Sequence, residues 1–258
     1  MIPYLIVFIS GALAGSFLNV CIYRIPIGKS IVAPRSFCPF CENRIRWYDN
    51  LPLVSFLVLR GKCRDCGRPI PLRYPVVELV NALLWTLLFH RFGYGSGFFV
   101  YAGFCSALLT VAAIDLEHQE IPDTISIPGI FLGLFLMTFL RLDGSPLVRT
   151  SFWNAFLGIV AGGGIMFLMG VAGEFIFRKE ALGGGDVKLM AMIGAFLGWK
   201  YVLLTFFIAP VLGAGVGLFM KLRFGEEVIP YGPFISLAAL ISLLHGPDIL
   251  GYILAGGI

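Results

Sequence analysis

The 258-residue chain is 58% hydrophobic and only 13% charged, with a net charge of +4 and a mean hydropathy of +0.90. Soluble domains are about half apolar and about a quarter charged, so this chain lacks the charge to cover a water-exposed surface, which excludes a soluble globule and a disordered chain. An outer-membrane barrel is excluded as well, because the apolar stretches are long and continuous instead of alternating over segments of about 10 residues.

At about 20 apolar residues per crossing, the chain has room for about eight transmembrane helices, with about 100 residues left for loops and one small domain. Spans are expected at Pro3–Tyr23, Pro75–His90, Ser96–Ile114, Thr124–Leu140, Ser151–Phe177, Val187–Leu197, Tyr201–Met220 and Gly232–Ala255. The second and sixth are short, and the sixth need not cross fully. The expected fold is an all-α polytopic membrane protein. It divides into a first transmembrane helix (residues 1–23), a basic cytoplasmic loop domain (24–74) and a transmembrane core (75–258). The first apolar run has no positive segment before it and continues past Ala12-Leu13-Ala14 to Cys21, so it reads as a retained span and not a cleaved signal. The pairs Gly11/Gly15, Gly158/Gly162 and Gly213/Gly217 have the spacing of close helix crossings.

Charge sets the sidedness. Residues 24–74 hold ten Lys/Arg against three acids, Glu42, Asp49 and Asp65, leaving the rest of the chain net acidic. A basic loop beside membrane spans reads as cytoplasmic and close to anionic lipid, not as a nucleic-acid site. Alternation then places Arg178, Lys179, Lys188, Lys221 and Arg223 inside as well, and Arg91, Arg141, Arg149 and Lys200 outside. Both termini are expected outside.

Of six cysteines, Cys21 and Cys105 stand alone in apolar spans and read as small buried hydrophobes. The others form Cys38-Pro-Phe-Cys41 and Cys63-Arg-Asp-Cys66. Two such pairs place four thiolates around one tetrahedral Zn²⁺, and Arg44, Arg46, Lys62 and Arg64 favour the thiolate form. Redox dithiols or disulfides compete with this reading, but disulfides suit the outside and the charge places the loop in the reducing cytoplasm. Four Cys ligands leave no open position, so the zinc is expected to be structural. Leu51–Leu59 is too short to span and is expected either in the loop core or against the membrane surface.

Intramembrane acids are costly and therefore informative. Asp115 ends the third expected span; Asp186 follows Gly183-Gly184-Gly185 and opens the sixth. Both lie at the inner face, where helix packing can join them. Paired carboxylates share a proton, one acting as base toward water while the other polarises a peptide carbonyl. Helix ends suggest Asp186, at an N-terminus, as the base and Asp115, at a C-terminus, as the initial acid. Gly183 and Gly185 let an extended peptide approach closely. Asp123, after Ile121-Pro122, fits an N-cap for the fourth span, and Asp186 itself has the alternative of a simple cap. Asp115, Glu117, Glu120, Asp123, Glu180, Asp186, Glu226 and Glu227 form an acidic group suited to a basic peptide. His118 reads as a solvated loop residue.

At this point the sequence resembles the bacterial type IV prepilin peptidases, membrane aspartic proteases of the GxGD type. The likeness runs through Gly15-Ser16-Phe17-Leu18-Asn19-Val20, Arg24-Ile25-Pro26, Pro34-Arg35-Ser36, Asn50-Leu51-Pro52-Leu53-Val54-Ser55 and Arg73-Tyr74-Pro75-Val76-Val77-Glu78. It continues through Ile114-Asp115, Ile121-Pro122-Asp123, the Gly-Asp motif with Val187-Lys188-Leu189, and Pro230-Tyr231-Gly232-Pro233. The resemblance implies a multi-pass enzyme of the bacterial inner membrane that cleaves the basic leader of prepilins or type II secretion pseudopilins after a glycine. Cleavage would fall at the cytoplasmic face. It assigns catalysis to Asp115 and Asp186; Gly183, Gly185, Asp123 and Lys188 around them are expected to bind substrate or support the site. It also implies N-methylation of the new N-terminus with S-adenosylmethionine, an activity that accompanies the four-Cys loop of Cys38, Cys41, Cys63 and Cys66. No dinucleotide-type glycine fingerprint marks a methyl-donor site; Asn19, Glu78 and the loop around Arg73 are the candidates. A proton-coupled transporter and a pilin-binding assembly factor are the alternatives from other classes.

Overall fold

The computed structural model describes residues 1–140, 151–177, 183–224 and 230–254. Arg141, Arg149, Arg178, Lys179, Glu180, Glu226 and Glu227, to which the charge pattern gave roles, lie outside the described residues. Among the described residues the structure is helical, with two isolated β-bridges. Helix α1 runs Ile2–Arg24, a 3-10 turn Trp47–Asn50, α2 Val54–Val58, α3 Arg73–Phe92, α4 Ser96–His118 and α5 Asp123–Phe139. After these come α6 at Phe152–Phe177, α7 at Gly184–Phe224 and α8 at Gly232–Leu254.

Five of these helices are long and apolar enough to cross a membrane, over residues 2–24, 96–118, 152–176, 184–220 and 232–254. That makes the chain an all-α membrane protein. Five is fewer than the eight crossings expected. Helix α5, with 17 residues, is short, and α3 carries Arg73, Glu78, Asn81, His90 and Arg91 along its length. The expected sixth and seventh spans are two helical segments joined end to end in α7 and separated by a break at Gly198 (φ 77°, ψ 175°). At 1.5 Å per residue, the segment before this break rises about 20 Å, short of the hydrocarbon thickness of about 30 Å.

The chain forms two compact units. Unit 1 comprises Met1–Tyr94 with Tyr101–Thr110; unit 2 comprises Gly95–Val100 with Val111–Ile258. In unit 1, α1 crosses α3 through the Gly11/Gly15 pair. A Cβ at Gly11 would lie 2.9 Å from the Ala82 Cα, and one at Gly15 2.7 Å from the Glu78 Cα. Only hydrogen atoms fit there, as small-residue crossings require. Buried hydrogen bonds reinforce the crossing: Asn81 Nδ2 donates to the Gly11 carbonyl (2.7 Å), Ser106 Oγ to Asn81 Oδ1 (2.8 Å) and Trp85 Nε1 to Ser106 Oγ (2.9 Å). Cys21 and Cys105 are buried free thiols, as expected.

In unit 2, α7 is the central element, packed by α5, α6 and α8. Gly158 of α6 faces Gly194 of α7 backbone to backbone, and Gly162 lies against the Met190 carbonyl, so the second small-residue pair is also a close crossing. The third is not. A Cβ at Gly213 would meet the rings of Tyr231 and Phe234 at 3.5–3.7 Å, which is ordinary contact.

Candidate active site and metal centre

The carboxylate site lies in unit 2, where helix ends converge. Asp115 occupies the last turn of α4 and is buried, 5% exposed. Asp186 stands in the first turn of α7, its backbone N–H donating to the Gly183 carbonyl (3.1 Å). The two aspartates are close enough for their charges to interact. The start of α7 lies beside Ile121, a few residues beyond the end of the helix that carries Asp115. A Cβ on Gly185 would sit 2.8 Å from the Ile121 Cβ, so glycine is what allows this approach.

A third helix end completes the site. Asp115 Oδ2 accepts a hydrogen bond from the Gly232 backbone N–H at the start of α8 (2.8 Å). A side chain at residue 232 would fall on the Asp115 carboxylate. Asp115 therefore sits at a helix N-terminus as well as near the end of its own helix, so helix ends no longer distinguish one aspartate as acid and the other as base. Tyr231 sits next to this contact; burial, then the charge of Asp186, pushes its phenol up to about 12. It is therefore a hydroxyl donor at any working pH. Sequence reasoning singled out neither Tyr231 nor Gly232 as a site residue. The helix-breaking Pro230-Tyr231-Gly232-Pro233 run was the available signal.

The cap expected at Asp123 is not formed. Pro122 is the N-cap residue of α5, Asp123 is its first residue, and no side chain caps the helix. Instead the Lys188 ammonium donates to both Asp123 oxygens, at 2.6 and 2.7 Å. A charge-assisted bond to a cation is stronger than one to a neutral backbone N–H, so the carboxylate turns to α7. Gly183, Gly185, Asp123 and Lys188 thus surround the start of the helix that carries Asp186. Glu117, His118 and Glu120 are exposed.

Unit 1 holds the candidate metal centre. The four cysteine sulfurs lie within 4.8 Å of one another, with Cys38 Sγ and Cys66 Sγ 3.9 Å apart. Four thiolates about 2.3 Å from a tetrahedral ion stand about 3.8 Å apart, whereas a disulfide requires about 2.05 Å. The donor set therefore fits a metal ion and not a pair of bridges; all six cysteines are free. Burial opposes the Cys38 thiolate, but the backbone N–H groups of Cys41 and Phe40 outweigh it and hold the thiol down at about 7. Around the cluster, Arg64 forms a bidentate pair with Asp49 (2.8 and 2.6 Å). Its guanidinium also lies 5.6 Å from the Tyr48 ring. Helix α2 does not form a loop core: Val54, Leu57 and Val58 are exposed and only Ser55 is buried.

A helical membrane protein with an aspartate pair at converging helix ends and a separate four-thiolate centre falls in the class of membrane aspartic peptidases. The chain belongs to the type IV leader peptidase family, whose model matches residues 102–218. The bacterial peptidase A24 N-terminal domain matches residues 9–92. Its curated relatives include proteins named prepilin leader peptidase/N-methyltransferase. That of Myxococcus xanthus is 41% identical over 85% of this chain and 63% of its own length. That of Stutzerimonas stutzeri is 34% identical over 93% of this chain and 89% of its own, and that of Pseudomonas aeruginosa 35% over the same shares. No solved structure matches the chain significantly.

Proposed function

We propose that the chain is an aspartic endopeptidase of the bacterial inner membrane. It removes the basic leader of type IV prepilins or type II secretion pseudopilins after a glycine, at the cytoplasmic face, and then methylates the new N-terminal amine with S-adenosylmethionine. The observation that carries the peptidase reading is the placing of Asp115 and Asp186 within electrostatic range of each other, with the Gly232 N–H bonded to the former. The names of the relatives, which join the two activities, support the methyl transfer.

In this mechanism the ionised member of the pair takes a proton from water, whose oxygen attacks the scissile carbonyl carbon. The protonated member gives its proton to the carbonyl oxygen. Collapse of the tetrahedral diol breaks the C–N bond, and the leaving amine takes a proton back from the pair. The two carboxylates titrate as a unit. Gly185 lets the start of α7 close on Ile121, Gly183 leaves room beside the Asp186 carboxylate for an extended peptide, and the Asp123–Lys188 pair holds the first turn of α7 in place. S-adenosylmethionine, when bound, would supply the methyl group from its sulfonium to the new N-terminal amine. Cys38, Cys41, Cys63 and Cys66 would hold a zinc ion that is structural, since four thiolates fill its tetrahedral shell.

The decisive experiment incubates purified protein with a prepilin and follows leader removal. Asp115→Asn and Asp186→Asn are each expected to slow cleavage by about 10³-fold or more, in the upper range for loss of an acid–base group. Undiminished cleavage by either variant would sink the two-aspartate mechanism.

A further inference from the structure

Helix α2 of unit 1 presents an apolar stripe that the fold leaves uncovered. Val54, Leu57 and Val58 stand at i, i+3 and i+4, on one side of the helix, and are 54%, 74% and 69% exposed. The other side is tied down. Ser55 Oγ donates to the Leu51 carbonyl (2.6 Å), and the Phe56 ring lies against Gly61. Packing within the loop therefore fixes which way the stripe faces.

Depth indicates what covers it. The Leu53 N–H donates to Glu78 Oε2 (2.8 Å), and Ser16 of α1 also hydrogen-bonds Glu78. Glu78 is level with Gly15, where a Cβ would lie 2.7 Å from the Glu78 Cα. Gly15 stands nine residues before Arg24, the last residue of α1, or about 13 Å along the helix axis. All of α1 belongs to an apolar segment able to cross a membrane, residues 2–24. Helix α2 thus begins beside the outer turns of a membrane helix, below its end, and not out in water. Backbone polar groups at such depth need partners, and Glu78 supplies one for Leu53. Leu53 has φ 62°, a conformation that side-chain-bearing residues rarely adopt. The Glu78 bond holds the chain in this sharp turn into α2.

The surroundings of the stripe are basic. Arg44, Arg46, Arg60 and Lys62 are exposed, while Asp49, the one acid from residue 44 to 62, is bound by Arg64. Trp47 is 79% exposed. An apolar helix face with an indole and flanking cations is the composition of an element lying in an anionic lipid interface. We propose that α2 is an interfacial anchor. It seats Val54, Leu57 and Val58 among the acyl chains of an anionic leaflet, with Arg46, Arg60 and Lys62 at the lipid phosphates. Its partner is the lipid of the bilayer that α1 crosses, and it holds the four-cysteine loop down on that surface. The anchor is independent of the aspartate chemistry.

The test uses the full-length zinc-loaded protein in vesicles of phosphatidylethanolamine and phosphatidylglycerol, part of the latter carrying a diazirine on its acyl chain. Adducts formed under ultraviolet light are located by peptide mass mapping. The expected result is labelling within residues 51–58 as well as at Leu13 and Phe17, exposed residues of α1 that serve as the internal reference. Leu57→Gln combined with Val58→Gln should lower the 51–58 adducts at least about tenfold while α1 labelling and zinc content stay unchanged. Both side chains are exposed, so the substitutions leave the packing of unit 1 intact. In vesicles of phosphatidylcholine alone, with a diazirine phosphatidylcholine, labelling of 51–58 relative to α1 should fall several-fold. Equal labelling there would overturn the preference for anionic lipid. Labelling of α1 with none in 51–58 would overturn the anchor itself, and cross-links joining two chains through this stripe would then make a second copy its occupant. The lipid adducts of the unaltered protein need no variant, so a misfolded double variant does not blunt the test.

Discussion

Glu42 and Gly67 occupy the same place in two successive knuckles. In the first, the Cys38 N–H bonds to the Asn43 carbonyl and the Glu42 N–H to the Cys38 carbonyl, each at 2.9 Å. In the second, the Cys63 N–H bonds to the Arg68 carbonyl (2.8 Å) and the Gly67 N–H to the Cys63 carbonyl (3.0 Å). Both turns demand a positive φ, 58° at Glu42 and 67° at Gly67. Glycine meets that demand freely, whereas a side chain costs about 1–2 kcal/mol. Glu42→Gly should therefore stabilise the loop by about 1 kcal/mol, seen as slower zinc loss to a chelator with an unchanged metal content. The Asp123–Lys188 pair makes the opposite case. Its side chains are 52% and 39% exposed, and exposed pairs contribute about 1 kcal/mol or less. Asp123→Asn should barely move the unfolding midpoint, yet lower leader cleavage about tenfold by loosening the turn that carries Asp186. A large fall in the midpoint would make the pair structural instead. At this scale the metal ligands were legible, because a Cys-x-x-Cys pair needs only local chain to present two thiolates. The partner of Asp123 was not. Lys188 lies 65 residues away, and a carboxylate after proline looks like a cap until the neighbouring helix is in place.

Among the elements, α7 concentrates the constraints. Gly198 adopts a conformation open essentially to glycine alone, and an added Cβ would lie 2.5 Å from Asn154 Nδ2. Gly198→Ala is expected to destabilise the protein by about 2 kcal/mol or more, measured as a lowered unfolding midpoint in detergent. Gly158, whose Cβ would enter the Gly194 backbone, should tolerate even less. Gly158→Leu would separate α6 from α7 and cost accumulation of folded protein, whereas Gly213→Leu, at a site of ordinary contact, should accumulate normally. Spacing revealed all three glycine pairs, and two of them are tight. The distinction between tight and loose depends on what lies opposite, which no local pattern records. The break in α7 was visible as two short apolar runs, since Gly-Trp-Lys interrupts the hydropathy.

For the molecule as a whole, the prominent division is between a basic unit organised on four cysteines and a second unit organised on two aspartates. Chelation should separate them. With zinc removed, the knuckles lose the ion that holds them, while the long apolar helices keep their hydrogen bonds in the bilayer. Circular dichroism should then retain most of its helical signal while protease sensitivity rises across residues 36–70. Loss of the helical signal would make the metal a global, not a local, element of stability.

The sequence by itself determined the membrane environment, the helical class, the four-thiolate centre and the two informative carboxylates. All of these follow from composition or short spacing, and the cost of burying charge makes each exception conspicuous. Only the tertiary structure decided that Asp115 receives the Gly232 N–H, that the Tyr231 phenol feels the charge of Asp186, that Asp123 pairs with Lys188, and that Asn19 and Glu78 share a recess. The physical reason is the same throughout. Each contact joins elements distant in the chain, and its geometry is set by how closely glycine-lined helices pack, which a linear pattern does not contain.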